Sequence, residues 1–198
     1  MRMAWVLGWA VTAEWFAPFA RAGFPAGEHQ FFPPTIEALA RLGAAGGFDR
    51  VVGYSLGAHL LLAHPAVVGA ARVALLAPFF AFSREDSLGG RVARTQVRHL
   101  ARWLRRDPAD ALADFYVRAG LVPPPAAPGT TEELLPGLVF LETGRVAPVL
   151  PAGWRAWCGA EDALLDAAAL HTLADGVKIV PGGTHHPAAL IRAMAEDA

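Results

Sequence analysis

The chain has 198 residues, enough for one domain with a full hydrophobic core. A net charge of −1 and a single cysteine, Cys158, argue against a nucleic-acid or anionic-membrane partner, an internal disulfide and a cysteine-based zinc site. Apolar residues make up 54%, much of it alanine, and no apolar run reaches the ~18 residues of a membrane span.

Residues 3–8 (MAWVLG) predict a short buried strand ending in glycine, and residues 12–22 a helix whose apolar face carries Trp15, Phe16 and Phe19. The opening MRMAWVLGWAVTA has the outline of a secretion signal, but its charged region is a single arginine and Gly8-Trp9 has a use in the site below. A cytoplasmic protein is therefore expected. HQFF at 29–32 predicts a second strand, stopped by Pro33-Pro34, after which Thr35 caps a helix to about Leu42. FDRVVGYS (48–55) is a third strand and LGAHLLLAHP (56–65) an apolar helix directly after it; ARVALLAPFF (71–80) is a fourth strand.

Residues 81–150 change character. They contain two helical patterns, RVARTQVRHLARWLRR (91–106) and DPADALADFYVRAG (107–120), followed by the spacer LVPPPAAPGTT. Alternation then resumes with a strand in WRAWCGAED, a helix in DAAALHTLA, a strand in VKIVPGG and a closing helix in HPAALIRAMAEDA. Strands alternating with helices imply a mostly parallel sheet covered on both faces. The expected organisation is one core, residues 1–80 and 151–198, with residues 81–150 as a helical insertion over the C-terminal edge of the sheet, where open α/β folds place ligands.

The stretch Gly53-Tyr54-Ser55-Leu56-Gly57 puts a serine between two glycines at a strand-to-helix junction. A sharp turn there holds the hydroxyl clear of the backbone, beside helix N-terminal N–H groups that favour a developing oxyanion. G-x-S-x-G is weak as a bare pattern, and the plain alternative is a turn with a capping serine. Between an apolar strand and an apolar helix it points to a nucleophile. A serine nucleophile needs a base, and the base an orienting acid, each at the end of a later strand with the histidine last. Asp162 follows the strand in WCGAED, ahead of Glu161 and Asp166 as candidates because Asp166 suits a cap on the next helix. His185 follows VKIVPGGT, with His186 as runner-up. The remaining histidines (His29, His59, His64, His99, His171) show no chelating spacing, so neither metal nor cofactor is expected. Leu56 N–H and Trp9 N–H, the latter after Gly8 at the first strand end, are the candidate oxyanion donors; the plain alternative for Trp9 is a core aromatic.

The whole chain resembles an α/β-hydrolase, and more narrowly the pimeloyl-[acyl-carrier protein] methyl ester esterases of biotin synthesis. The matching pieces are LGWAV at 7–11, GYSLGA at 53–58, RHLARWLRRDPADALADFY in the insertion, GAEDALL at 159–165 and GGTHHP at 182–187. The serine, aspartate and histidine motifs are common to all α/β-hydrolases; only Gly8-Trp9 and the insertion favour the subfamily. The resemblance implies a carboxylesterase acting on a carrier-linked acyl chain with a terminal methyl ester, with His99, Arg102 and Trp103 as substrate-binding candidates. It also implies a fold without its usual N-terminal hairpin, and Leu7 stands where the family usually has histidine. A short-chain esterase or thioesterase is the alternative, and a binding protein free of catalysis a third reading that the ordered triad opposes.

Between Gly90 and Asp107 stand Arg91, Arg94, Arg98, Arg102, Arg105 and Arg106, with no acidic residue. Such a run commonly marks a solvated helix face. The functional alternative is an acidic carrier protein docked on an arginine stripe formed by spacings of three and four.

Overall fold

Apolar runs bounded by a charged first residue, such as Arg2–Val6 (RMAWV), Arg50–Tyr54 (RVVGY) and Arg72–Leu76 (RVALL), are buried along almost their whole length. That is the signature of strands covered on both faces. The computed structural model describes residues 1–69, 71–124 and 126–197; Pro125 of the spacer lies outside them. These three strands are β1, β3 and β4. With β2 (Glu28–Phe32), β7 (Arg155–Gly159) and β8 (Val177–Val180) they form a six-stranded sheet in the order β2-β1-β3-β4-β7-β8, every ladder of it parallel.

The helices follow from their caps. Thr12 Oγ1 accepts from Trp15 N–H (3.2 Å) to start α1 (Ala13–Gly23), and Thr35 Oγ1 accepts from Ala38 N–H (3.1 Å) to start α2 (Ile36–Ala45). Helix α3 (Leu56–Ala63) begins directly after β3, α7 (Ala167–Leu173) is capped by Asp166, and α8 (Pro187–Glu196) packs beside α1. The chain runs outward from β1 to β2 and then crosses back to β3. The loops that leave β1 and β3 are therefore neighbours at a topological switch point. Pairing of Val6 with Gly53 and of Tyr54 with Leu76 sets the ends of those strands level.

Between β4 and β7 the chain forms β5 (Ala81–Ser83) and β6 (Gly89–Val92), a small separate parallel pair, then α4 (Arg94–Arg106), α5 (Pro108–Ala119) and α6 (Thr131–Thr143). Helix α4 packs on α5 and α6, and α6 packs on β5 and α3. Two boundaries differ from the sequence expectation. The fourth strand stops at Leu76 because Ala77 turns to φ 49°, and Arg91 and Val92 belong to β6 instead of the helix because Arg91 N–H bonds the Leu164 carbonyl at 2.9 Å.

Candidate active site

Ser55 occupies the bend between β3 and α3 with φ 53° and ψ −116°. A non-glycine residue there carries about 1–3 kcal/mol of strain and persists only where its surroundings over-determine it. They do. Ser55 N–H bonds the Leu76 carbonyl (2.9 Å), and the Ser55 carbonyl accepts from His59 N–H (3.1 Å). A methyl group on Gly57 would run into the carbonyl oxygens of Val6 and Leu7, and one on Gly53 would lie 2.7 Å from Ala58 Cα. Both glycines thus let α3 lie against β1 and β3, which is what the narrowing around Ser55 achieves.

The loops after β7 and β8 supply the partners. His185 Nε2 lies 3.0 Å from Ser55 Oγ, and His185 Nδ1 lies 2.8 Å from Asp162 Oδ2. A carboxylate only accepts, so Nδ1 carries the proton and Nε2 is free to accept from the serine hydroxyl. Asp162 Oδ1 accepts from Leu164 N–H (2.8 Å) and Leu165 N–H (3.0 Å), which fixes the other oxygen on the histidine. Ser55, His185 and Asp162 are all buried. Tyr54, one residue before the serine, donates its hydroxyl to the His185 carbonyl (2.8 Å). Burial, and then the Asp162 charge, push the Tyr54 phenol well above its ordinary pKa, so it stays a donor. Burial pushes the Cys158 thiol up as well, with Asp162 adding to it, so this cysteine remains a protonated, inert thiol.

The other candidates fall elsewhere. His186 caps α8, its Nδ1 accepting from Ala188 N–H (3.3 Å), with its ring against Trp15 and Phe19. Glu161 is exposed, and Asp166 caps α7 through Ala169 N–H. Among the described residues, no group of three or more His, Cys, Asp or Glu is placed to hold a metal ion.

Among the described residues, neither Trp9 N–H nor Leu56 N–H has an acceptor, leaving two donors at the switch point beside Ser55. Trp9 is nonetheless also a core aromatic: its indole Nε1 donates to the Leu134 carbonyl (2.9 Å) and its ring stands edge-on to Phe115 at 4.7 Å. Ala10 turns the loop at φ 56°, and its carbonyl accepts from the Tyr116 hydroxyl (2.8 Å). Leu7 is buried among apolar neighbours and bonds only through its backbone, to the Phe32 carbonyl (2.9 Å). The insertion, through Leu134 and Tyr116, therefore holds the Trp9 loop where the resemblance expected a histidine. Tyr54, Tyr116 and Gly137 were not foreseen in the sequence: an aromatic hydroxyl or a mid-helix glycine carries no local pattern that marks its tertiary contact.

A cavity of about 430 Å³ lies under α4, α5 and α6, walled by Phe82, Val97, Leu100, Trp103, Leu138 and Leu141. Arg91, His99, Asp114 and Arg118 supply its polar groups. Ala163 and Leu164, directly after Asp162, also line it, whereas Ser55, Asp162 and His185 are not part of its wall. A second cavity of about 430 Å³ includes Gly8, Trp9, Leu134 and Gly137. The Trp9–Phe115 pair stands between the two, since Phe115 lines the first and Trp9 the second. Of the substrate-binding candidates, His99 and Trp103 line the first cavity, whereas Arg102 is on the outer side of α4 and lines neither.

The arginine stripe needs correction. Arg91 lies in β6, off the helix, with Nη1 on the Asp162 carbonyl (3.3 Å) and Nη2 3.7 Å from Asp166. Arg94 is bound to Asp86 (2.9 Å), and Arg98 to Glu142 (2.6 Å). Arg105 bonds the Ala101 carbonyl within its own helix. Arg102 and Arg106 are exposed and have no carboxylate in ion-pair range among the described residues. No helix is long and apolar enough to cross a membrane among the described residues.

No protein-family model matches the chain, and no curated protein matches it in sequence. Solved structures do match. An esterase from Exiguobacterium antarcticum aligns with a TM-score of 0.70 at 14% identity, covering 100% of this chain and 90% of that one. RedJ, a thioesterase from the prodiginine biosynthetic pathway in Streptomyces coelicolor, aligns with a TM-score of 0.56 at 16% identity over 100% and 90%. Human thioesterase 2 aligns with a TM-score of 0.50 at 11% identity over 99% and 91%. At these identities the likeness is one of fold, and the fold is that of the α/β-hydrolases.

Proposed function

We propose that the protein is a serine hydrolase of carboxylic esters or thioesters. The observation that carries this reading is the unbroken hydrogen-bond chain Ser55–His185–Asp162 on a strained bend, beside two N–H groups that have no acceptor among the described residues. Ser55 Oγ attacks the carbonyl carbon while His185 Nε2 takes its proton, and Asp162 holds the imidazolium that forms. The carbonyl oxygen becomes an oxyanion received by Trp9 and Leu56 N–H, each donor worth about 3 kcal/mol in the transition state. Collapse breaks the bond to the leaving group, which departs as an alcohol or thiol with the proton from His185. Water, deprotonated by the same histidine, then frees the acid and restores Ser55. This chemistry requires no cofactor.

The finer reading is a methyl ester on an acyl chain borne by an acidic carrier protein. It is supported by the apolar cavity under α4 and by the exposed, carboxylate-free Arg102 and Arg106 on the outer side of that helix. A thioesterase is the second reading, favoured by the fold likeness to two thioesterases. Residues 2–6 form β1 and residues 8–10 the Trp9 loop, so the signal-like stretch is part of the fold; a cytoplasmic location belongs to the same proposal.

Hydrolysis of p-nitrophenyl esters and of acyl thioesters by wild type and Ser55→Ala tests the main reading: activity on either class, lost in the variant, is expected. Activity that survives in Ser55→Ala refutes it. For the partner, Arg102→Glu with Arg106→Glu should raise KM for a carrier-linked methyl ester and leave a small soluble ester unchanged. Added salt should do the same, because exposed charges are screened over about 10 Å at 0.1 M. Equal effects on both substrates would remove the carrier from the proposal.

A further inference from the structure

The opposite end of the sheet carries a feature that hydrolysis does not use. Three parallel strands begin with an arginine: Arg50 in β3, Arg72 in β4 and Arg155 in β7. Arg50 and Arg72 are direct register partners, and Arg155 pairs with Ala74, two residues beyond Arg72. Side chains alternate with period two, so all three arginines emerge on the same face of the sheet. They line one cavity of about 500 Å³, closed by Trp157, Met194 and Asp197 at the end of α8.

Like charges placed opposite each other on adjacent strands destabilise a sheet. Little in the protein offsets them here. Among the described residues, Asp197 is the single carboxylate lining this cavity, and it is divided between Arg155 (3.1 Å) and Lys178 (2.6 Å). Arg50 and Arg72 have no carboxylate in ion-pair range among the described residues. Arg50 is only 9% exposed, with its guanidinium over the Phe24 ring at 5.3 Å. Burial lowers its pKa, and the Arg72 and Arg155 charges lower it further. Three guanidinium forks and one shared acid around one recess match a multivalent oxyanion, whose oxygens accept planar, paired donors.

We propose that Arg50, Arg72 and Arg155 form a binding site for a phosphate or pyrophosphate group, at the end of the sheet remote from Ser55. The group comes either as the free inorganic anion or as part of a nucleotide. A ligand that binds only the folded chain raises its melting temperature with the logarithm of concentration, so thermal unfolding reads the site without reference to hydrolysis.

The test titrates pyrophosphate and, separately, ADP, with sodium chloride holding ionic strength constant. Wild type should melt at rising temperature with pyrophosphate. Arg72→Gln, an exposed position, should bind at least about tenfold more weakly, the loss of one charge-assisted contact. Asp197→Asn should bind more tightly, since it removes the competing carboxylate. Ester hydrolysis by Arg72→Gln should stay at the wild-type rate. A response to ADP at lower concentration than to pyrophosphate assigns the site to a nucleotide, and the reverse order to the inorganic anion. A shift of equal size in wild type and Arg72→Gln is general salting-out by phosphates and overturns the site, as does the absence of any shift in wild type.

Discussion

Gly137 sits in the middle of α6, where a glycine costs about 1 kcal/mol relative to alanine. Its reason is steric. A methyl group there would collide with Trp9 Cδ1 and lie 3.1 Å from Trp9 Nε1 and 3.3 Å from Leu56 Cδ2. Those are the two residues whose N–H groups are proposed to receive the oxyanion. Gly137→Ala therefore gains about 1 kcal/mol of helix propensity and loses about 1–3 kcal/mol to overpacking. The net cost is about 1 kcal/mol, a fall of about 2–4 °C in melting temperature for a chain of this size.

Activity should suffer more than stability. Removing an oxyanion donor outright costs about 10²–10³ in kcat, and a donor displaced by up to 1 Å costs up to about 10². Gly137→Ala should thus lower kcat for p-nitrophenyl acetate by about 10- to 100-fold with KM nearly unchanged. Gly43→Ala in α2 is the matched control: a methyl group there meets nothing nearer than the Val67 carbonyl at 3.6 Å, an ordinary contact. It should raise the melting temperature by about 2–4 °C and leave kcat alone. If Gly137→Ala gains stability as Gly43→Ala does and keeps wild-type kcat, Trp9 has room to move and the oxyanion assignment fails.

Two further predictions concern the acid and the histidines. Asp162→Asn keeps an oxygen for Leu164 and Leu165 N–H but turns His185 to the wrong tautomer; kcat should fall by about 10⁴ while a circular-dichroism melt changes little. Burial lowers the folded-state pKa of both His59 and His186 below the ordinary 6.5, so as pH falls the unfolded chain takes up protons first. Their contribution to stability is complete above pH 6.5 and is lost progressively below it; urea unfolding from pH 7.5 to 5 should show this, and His186→Asn, which keeps the α8 cap, should flatten the slope. An unchanged slope in that variant would mean that His186 titrates alike in both states.

The triad was legible because each member sits where a strand ends, and strand ends are marked by local chemistry: Gly53 and Gly57 around Ser55, Gly159 before Asp162, Gly182-Gly183 before His185. The alternation of β1, β2, β3 and β4 with their helices was equally plain in the apolar runs. Helix α6 was not, because Pro136 and Gly137 interrupt its pattern, although Thr130 and Glu133 form a capping box at its start. The arginine run misled for a related reason. Its counter-charges Asp86, Glu142 and Asp166 lie outside the segment read as basic, and a charge's partner in space leaves no mark beside it in the chain. The opposing Arg50 and Arg72 were invisible for the same reason, since strand register is set by the fold.

The departure at Leu7 joins these threads. A histidine at that position would tie the oxyanion loop down from within the core, by a polar group close in sequence to Trp9. Here Leu7 is apolar and buried, and the two bonds that hold the loop come from the Leu134 carbonyl in α6 and the Tyr116 hydroxyl in α5. Burial pushes the Tyr116 phenol up to about 12, so this donor keeps its proton around neutral pH. The helices that roof the first cavity are thus the helices that hold the Trp9 loop. Any ligand that moves α5 or α6 to enter the cavity also moves the donor, which couples occupancy to the geometry of the transition state in a way that a core histidine would not. On the proposed reading, then, the insertion belongs to the catalytic apparatus as much as it covers it, and the glycine at 137 is where the two meet.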